Sequence, residues 1–70
     1  MRYVVSIYDH FEDSLTATVV EAVGWWDALH QVSSDRASWV PKNVSLLVAQ
    51  EHAVDQDWRF EVTEINDENS

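Results

Sequence analysis

Along Arg2–Asp9 (RYVVSIYD) the side chains alternate with a period of two and are rich in β-branched and aromatic residues, which predicts a strand. Tyr3, Val5 and Ile7 fall on one face, with Val4, Ser6 and Tyr8 on the other. His10–Ser14 (HFEDS) interrupts the alternation with two acids and reads as a hairpin loop. Leu15–Ala22 (LTATVVEA) resumes it as a second strand, with Leu15, Ala17 and Val19 expected toward the core. At Gly24 the period changes. Trp25, Ala28, Leu29 and Val32 stand at the i, i+3, i+4, i+7 spacing of an amphipathic helix, and Ser33, Ser34 and Asp35 are expected to end it.

The stretch 40–56 allows two readings. VSLLVA alone suits a strand, whereas Ala49-Gln50-Glu51-His52-Ala53 favours helix. Pro41 fits a helix start and Asn43 an N-cap. In the helical reading, which is preferred, Val44, Leu47, Val48 and Val54 share a face, with Leu46 and Ala53 beside it. Asp57–Ile65 (DWRFEVTEI) closes the pattern as a strand with Trp58, Phe60 and Val62 on one side. The polar residues 66–70 read as a mobile tail.

The order is therefore β-β-α-α-β. It predicts an α+β fold: a two-layer domain over residues 1–65, with a three-stranded antiparallel sheet covered on one face by two short helices. The last strand is expected to pair antiparallel with the first. If residues 44–49 are extended, the order becomes β-β-α-β-β.

Composition sharpens this picture. Seventy residues leave room for one modest core. With no cysteine, disulfides and thiolate metal sites are excluded. Packing must hold the fold, and 46% apolar residues with four tryptophans supply it. Each large aromatic buries roughly 150–250 Å². The first apolar run is short and ends at Asp9, unlike a secretory leader, and no stretch approaches a membrane span.

Charge changes the picture most. Thirteen Asp and Glu face four Lys and Arg, a formal net of −9. Self-repulsion of this size destabilises a small domain but favours solubility and steers basic partners. Anionic lipid and nucleic-acid phosphates are repelled. A cytosolic monomer that binds neither membrane nor nucleic acid is expected.

Catalytic and metal chemistry find little support. Asp9, His10, Glu12 and Asp13 crowd one loop, but no two histidines stand at ligand spacing, and Glu51-His52 lacks a second His. No Ser/His/Asp or Cys/His set is present, and one glycine cannot make a phosphate loop. No catalytic residue, metal or cofactor is assigned. Trp25 belongs to the apolar stripe. Trp26 lies about 100° round the helix, at its edge beside Asp27 and His30, and suits either an edge-packing or a partner-contact role. Trp39 is the other candidate aromatic.

The acids have a plain reading, a solvated face that keeps the protein soluble. Two details oppose it. Glu51, Asp55 and Asp57 gather at the C-terminal end of the second predicted helix, where the macrodipole disfavours negative charge. Cations are also too few for compensation by i, i+4 pairing. Something other than stability selects these positions. DNA carries a charge every roughly 3.4 Å along each strand. Carboxylates two apart on a strand are about 6.8 Å apart, and those one helical turn apart, about 6 Å. Glu51 with Asp55, and Glu61 with its cross-strand neighbours, have this spacing.

In size, lack of cysteine, element order and acid excess, the chain resembles the small acidic anti-CRISPR proteins of bacteriophages, several of which mimic DNA. The acids concerned are Asp9, Glu12 and Asp13 in the first turn, and Glu51, Asp55 and Asp57 before the last strand. The resemblance implies a non-enzymatic inhibitor of a type I CRISPR surveillance complex, acting on the large subunit that recognises the protospacer-adjacent motif. The expected partner-binding set is Asp9, Glu12, Asp13, Trp26, Asp27, Glu51, Asp55, Asp57 and Glu61. Inhibitors of restriction enzymes, RNA polymerase or other DNA-binding host proteins share this general look. So does an acidic interaction or assembly module that uses an apolar patch.

Overall fold

The computed structural model describes residues 1–65, so the tail expected at 66–70 lies outside the described residues. The elements are β1 (Arg2–Asp9), β2 (Ser14–Glu21), α1 (Trp25–Val32), α2 (Ser34–Ser38), α3 (Leu46–Asp55) and β3 (Trp58–Ile65). The strands form one antiparallel sheet in the order β2-β1-β3. The fold is α+β. Each strand lies within a residue of its predicted span, and the last pairs antiparallel with the first.

Two layers meet on one face of β1 and β3. Tyr3, Val5 and Ile7 join Trp58, Phe60 and Val62, and Leu29 of α1 closes over them, fully buried. Trp25 stacks on Phe60 at 6.3 Å between ring centroids, and Phe60 stacks on Trp58 at 5.2 Å. This aromatic row supplies much of the apolar area that a 70-residue chain can bury.

The helical layer holds one element more than expected. Ser33 ends α1, but its Oγ also accepts the Arg36 N–H at 3.4 Å and so starts α2. The order is β-β-α-α-α-β. A helix of five residues is too short to show periodicity, and only Ala37 of it is buried. The segment 46–55 is helical, which removes the extended alternative. Its N-cap is Ser45 rather than Asn43, with Oγ accepting the Val48 N–H at 3.3 Å. Pro41 lies in the connection ahead of it.

α3 turns a different face inward from the one predicted. Ala49 and Ala53 are buried, whereas Leu47, Val48 and Val54 are exposed. The small residues let α3 lie close along β3, where Gln50 Nε2 donates to the Phe60 carbonyl at 3.0 Å.

β2 is also reversed. Directly opposed residues share a sheet face, and the register pairs Tyr3 with Val20, Val5 with Thr18 and Ile7 with Thr16. Leu15, Ala17 and Val19 therefore stand with Val4, Ser6 and Tyr8 on the open face, where Leu15 is 71% and Val19 53% exposed. The hairpin dictates this. Its connection, His10–Asp13, sets Ser14 opposite Asp9, with Asp13 in the left-handed region at φ 51°. A shift of one residue would exchange every side chain between faces.

Truncating the core should expose how little stability is spare. Leu29→Ala is expected to cost about 2–5 kcal/mol, read from urea denaturation. Val23→Ala, at a position 90% exposed, should change stability by less than about 0.5 kcal/mol.

Candidate functional site

Asp9 ends β1 and works inside the fold. Its Oδ1 accepts the Phe11 N–H at 2.9 Å and the Glu12 N–H at 3.2 Å, which shapes the hairpin turn. Its Oδ2 accepts from Arg36 Nη2 at 2.7 Å and ties that turn to α2. The Glu12 amide, aided by the Phe11 amide and the Arg36 guanidinium, holds the Asp9 carboxyl below its usual range. Arg36 also sits 5.9 Å from the centroid of the Trp58 ring. One of the few cations is thus committed to the interior edge.

The other loop acids face water. Glu12 is exposed at the turn, and Asp13 Oδ1 accepts the Tyr8 hydroxyl at 2.6 Å. That bond raises the Tyr8 pKa, because ionising the phenol would set two negative charges in contact.

Tertiary pairing brings the second acid group alongside. Asp9 lies opposite Trp58, and the His10 N–H donates to the Asp57 carbonyl at 3.3 Å. The β1–β2 turn and the α3–β3 turn therefore share one end of the sheet. Glu12, Asp13, Asp55 and Asp57 are gathered there, all exposed. Glu51 follows on α3, one turn back from Asp55, about 6 Å along the axis. Asp55 closes α3 at the end where its carbonyl dipoles repel carboxylates, and the only basic residue in that last turn is His52. Asp57 holds a left-handed backbone at φ 68°, which Asp tolerates better than most residues.

The remaining predicted residues are placed elsewhere. Glu61 stands on the open sheet face opposite Ser6. Asp27 lies in the first turn of α1 toward the far end of β2, where Gln31 Nε2 approaches its Oδ2 at 3.4 Å and the Glu21 carbonyl at 2.7 Å. Trp26 is half-buried and internally engaged. Its Nε1 donates to the Val40 carbonyl at 3.3 Å, His30 stacks on it at 5.0 Å, and Lys42 Nζ lies 5.1 Å from its centroid. Trp39, 54% exposed, has the better placement: its carbonyl accepts from Gln56 Nε2 at 3.0 Å, beside Asp55 and Asp57.

Residues that sequence reasoning left unassigned also border this end. Of these, Tyr8, His10 and Arg59 join Val54, Trp58 and the already predicted Asp57 around a hollow of about 140 Å³. Tyr8, Val54 and Arg59 also border a groove of about 400 Å³ over Ser6, Leu15, Gln50 and Glu61. Arg59 is a cation at the rim. The signal that could have found the groove is the hairpin's loop length, which sets Leu15 beside Tyr8. Among the described residues no cluster of His, Asp and Glu could hold a metal ion, and no charged or polar side chain is buried. The arrangement offers carboxylates fixed at a surface.

Comparisons with family models, curated proteins and solved structures find no match for this chain.

Acid should loosen the turn. The folded Asp9 carboxyl titrates lower than the unfolded one, so its contribution is complete above about pH 4 and is lost as pH falls through the folded value. Melting temperature should drop across that acid range more steeply in the native chain than in Asp9→Asn, when the two are followed by circular dichroism.

Proposed function

We propose that this chain is a non-enzymatic inhibitor that competes with DNA for a basic surface of a DNA-binding protein in the bacterial cytosol. The preferred target is a type I CRISPR surveillance complex, at the subunit that reads the protospacer-adjacent motif. One observation carries the reading: β1–β3 pairing joins the acids of two turns, Glu12 and Asp13 with Asp55 and Asp57, into one exposed end. Carboxylates fixed by a folded frame attract a cationic groove without first paying the ordering entropy of a flexible tail. Long-range attraction raises the on-rate, and Trp39 beside the acids supplies short-range contact. Asp9 supports this end indirectly, through the turn it holds. The chain acts as a monomer and needs no cofactor or metal.

A second reading has its own observation. Leu15 and Val19 are exposed together on the open sheet face, as an apolar interaction module would require. Ionic strength separates the two. Inhibition through carboxylates should weaken steeply between about 50 and 300 mM salt, whereas apolar docking should not.

Displacement of a labelled target duplex from a purified type I complex tests the first reading. The quadruple substitution Glu12→Lys, Glu51→Lys, Asp55→Lys and Asp57→Asn reverses the charge while keeping a residue tolerant of the left-handed conformation at 57. It should raise the inhibitory dose by about tenfold or more with the melting curve retained. An unchanged dose for that variant removes the acidic end as the site, and no displacement by the native chain removes the target.

A further inference from the structure

The two edges of the sheet are treated differently. Hydrogen-bonded and non-hydrogen-bonded pairs alternate along an antiparallel ladder. Met1 and Ala22 exchange both main-chain bonds, at 2.8 and 3.1 Å. Counting from that pair, Val20, Thr18, Thr16 and Ser14 bond to β1, whereas Glu21, Val19, Ala17 and Leu15 point their N–H and C=O groups outward. Gln31 Nε2 reaching the Glu21 carbonyl at 2.7 Å agrees with this phase. The same count leaves Phe60 of β3 facing outward, and there α3 covers the edge through Gln50. Among the described residues, no side chain caps the main chain of Leu15, Ala17 or Val19.

Natural edge strands are blunted by charge, proline, bulges or a covering element. Leu15–Val20 (LTATVV) has no charge, proline or glycine, and residues 15–19 are all exposed. Among the described residues β2 is an unguarded edge, with Leu15, Ala17 and Val19 on the open face behind it.

A second copy of the chain is a poor occupant. Antiparallel pairing about Ala17 would bring Asp13, in the turn just beyond β2, toward Glu21 of the other copy at both ends, between two bodies of formal charge −9. The Met1 ammonium 3.6 Å from Glu21 offsets only part of this, since that carboxylate stays 76% exposed. Like charges directly opposite destabilise a ladder. The same acids favour a cationic strand. We infer that the β2 edge of this chain receives an extended segment of another protein by strand addition, with apolar residues opposite Leu15, Ala17 and Val19 and Lys or Arg opposite Asp13 and Glu21. Main-chain bonds give affinity, the alternate apolar side chains extend the open face, and the flanking charges set register. The inference is independent of DNA competition.

The probe is the blocked peptide Lys-Thr-Val-Thr-Val-Thr-Val-Thr-Lys, compared with the same sequence bearing Glu at both ends. Amide hydrogen exchange at Leu15, Ala17 and Val19 is expected to slow at least about tenfold with the Lys peptide and to change little with the Glu peptide. Ala17→Pro removes one outward N–H without touching a bond to β1, so it should abolish the protection and keep the melting temperature. If that variant does not fold, Ala17→Lys places a blocking charge on the same edge and should give the same loss. Unchanged exchange with the Lys peptide overturns the inference, as does equal protection by both peptides. Protection of these amides that grows with protein concentration alone, with dimers in sedimentation, also overturns it in favour of a second copy. The quadruple charge variant described above keeps Asp13 and Glu21, so it should lose DNA competition and keep peptide protection. The two ideas can therefore fail separately.

Discussion

Antiparallel pairing of β3 with β1, from Arg2 opposite Ile65 to Asp9 opposite Trp58, holds together both the core and the acidic end. β1 is the central strand, and β3 returns after three helices to lie antiparallel along its length. That return sets Trp58 and Phe60 in line with Val5 and Ile7 and gives Trp25 and Leu29 of α1 a floor to cover. Without cysteines, this apolar contact must outweigh both chain entropy and the repulsion of a net charge of −9. The same pairing joins the two acidic turns. Core formation and the anionic surface therefore have one cause.

Charge is distributed so that little of it opposes folding from within. Among the described residues no charged side chain is buried. The half-buried Asp9 is matched by Arg36 and by two amide donors, so its desolvation is offset by bonds to its charged form. The other acids at that end face water, where screening moderates their mutual repulsion. Asp55 and Asp57 still sit against the dipole of α3, and Asp13 and Asp57 still hold left-handed backbone. These local costs coincide with the surface proposed to meet a partner, which is where such strain tends to accumulate.

The two faces of the sheet divide the surface into different kinds of opportunity. The acidic end is polar and attracts cations at a distance. The open face and the β2 edge are short-range features that need shape and main-chain complementarity. α3 protects one edge with Gln50 and leaves the other free. Among the described residues nothing covers the β2 edge, because α3 leads directly into β3 and lies along that strand.

Hydropathy pattern alone revealed the three strands, the α1 stripe and a core to which Tyr3, Trp58 and Phe60 contribute aromatic rings. Period-two runs such as RYVVSIYD and WRFEVTEI have no helical reading, and Trp25, Ala28, Leu29 and Val32 have no extended one. Composition likewise determined the excess of acid and the absence of covalent staples. The facing of β2 was settled only by the tertiary structure. LTATVV has an apolar residue on either side of its pleat, so its phase is set by a hairpin register that hydropathy does not encode. α2 escaped because five residues carry no period, and α3 turned its alanines inward because close approach to β3 mattered more than side-chain size. The company the acids keep was likewise tertiary. Glu12 and Asp57 lie far apart along the chain, and only the ladder between β1 and β3 brings their turns to one end of the sheet.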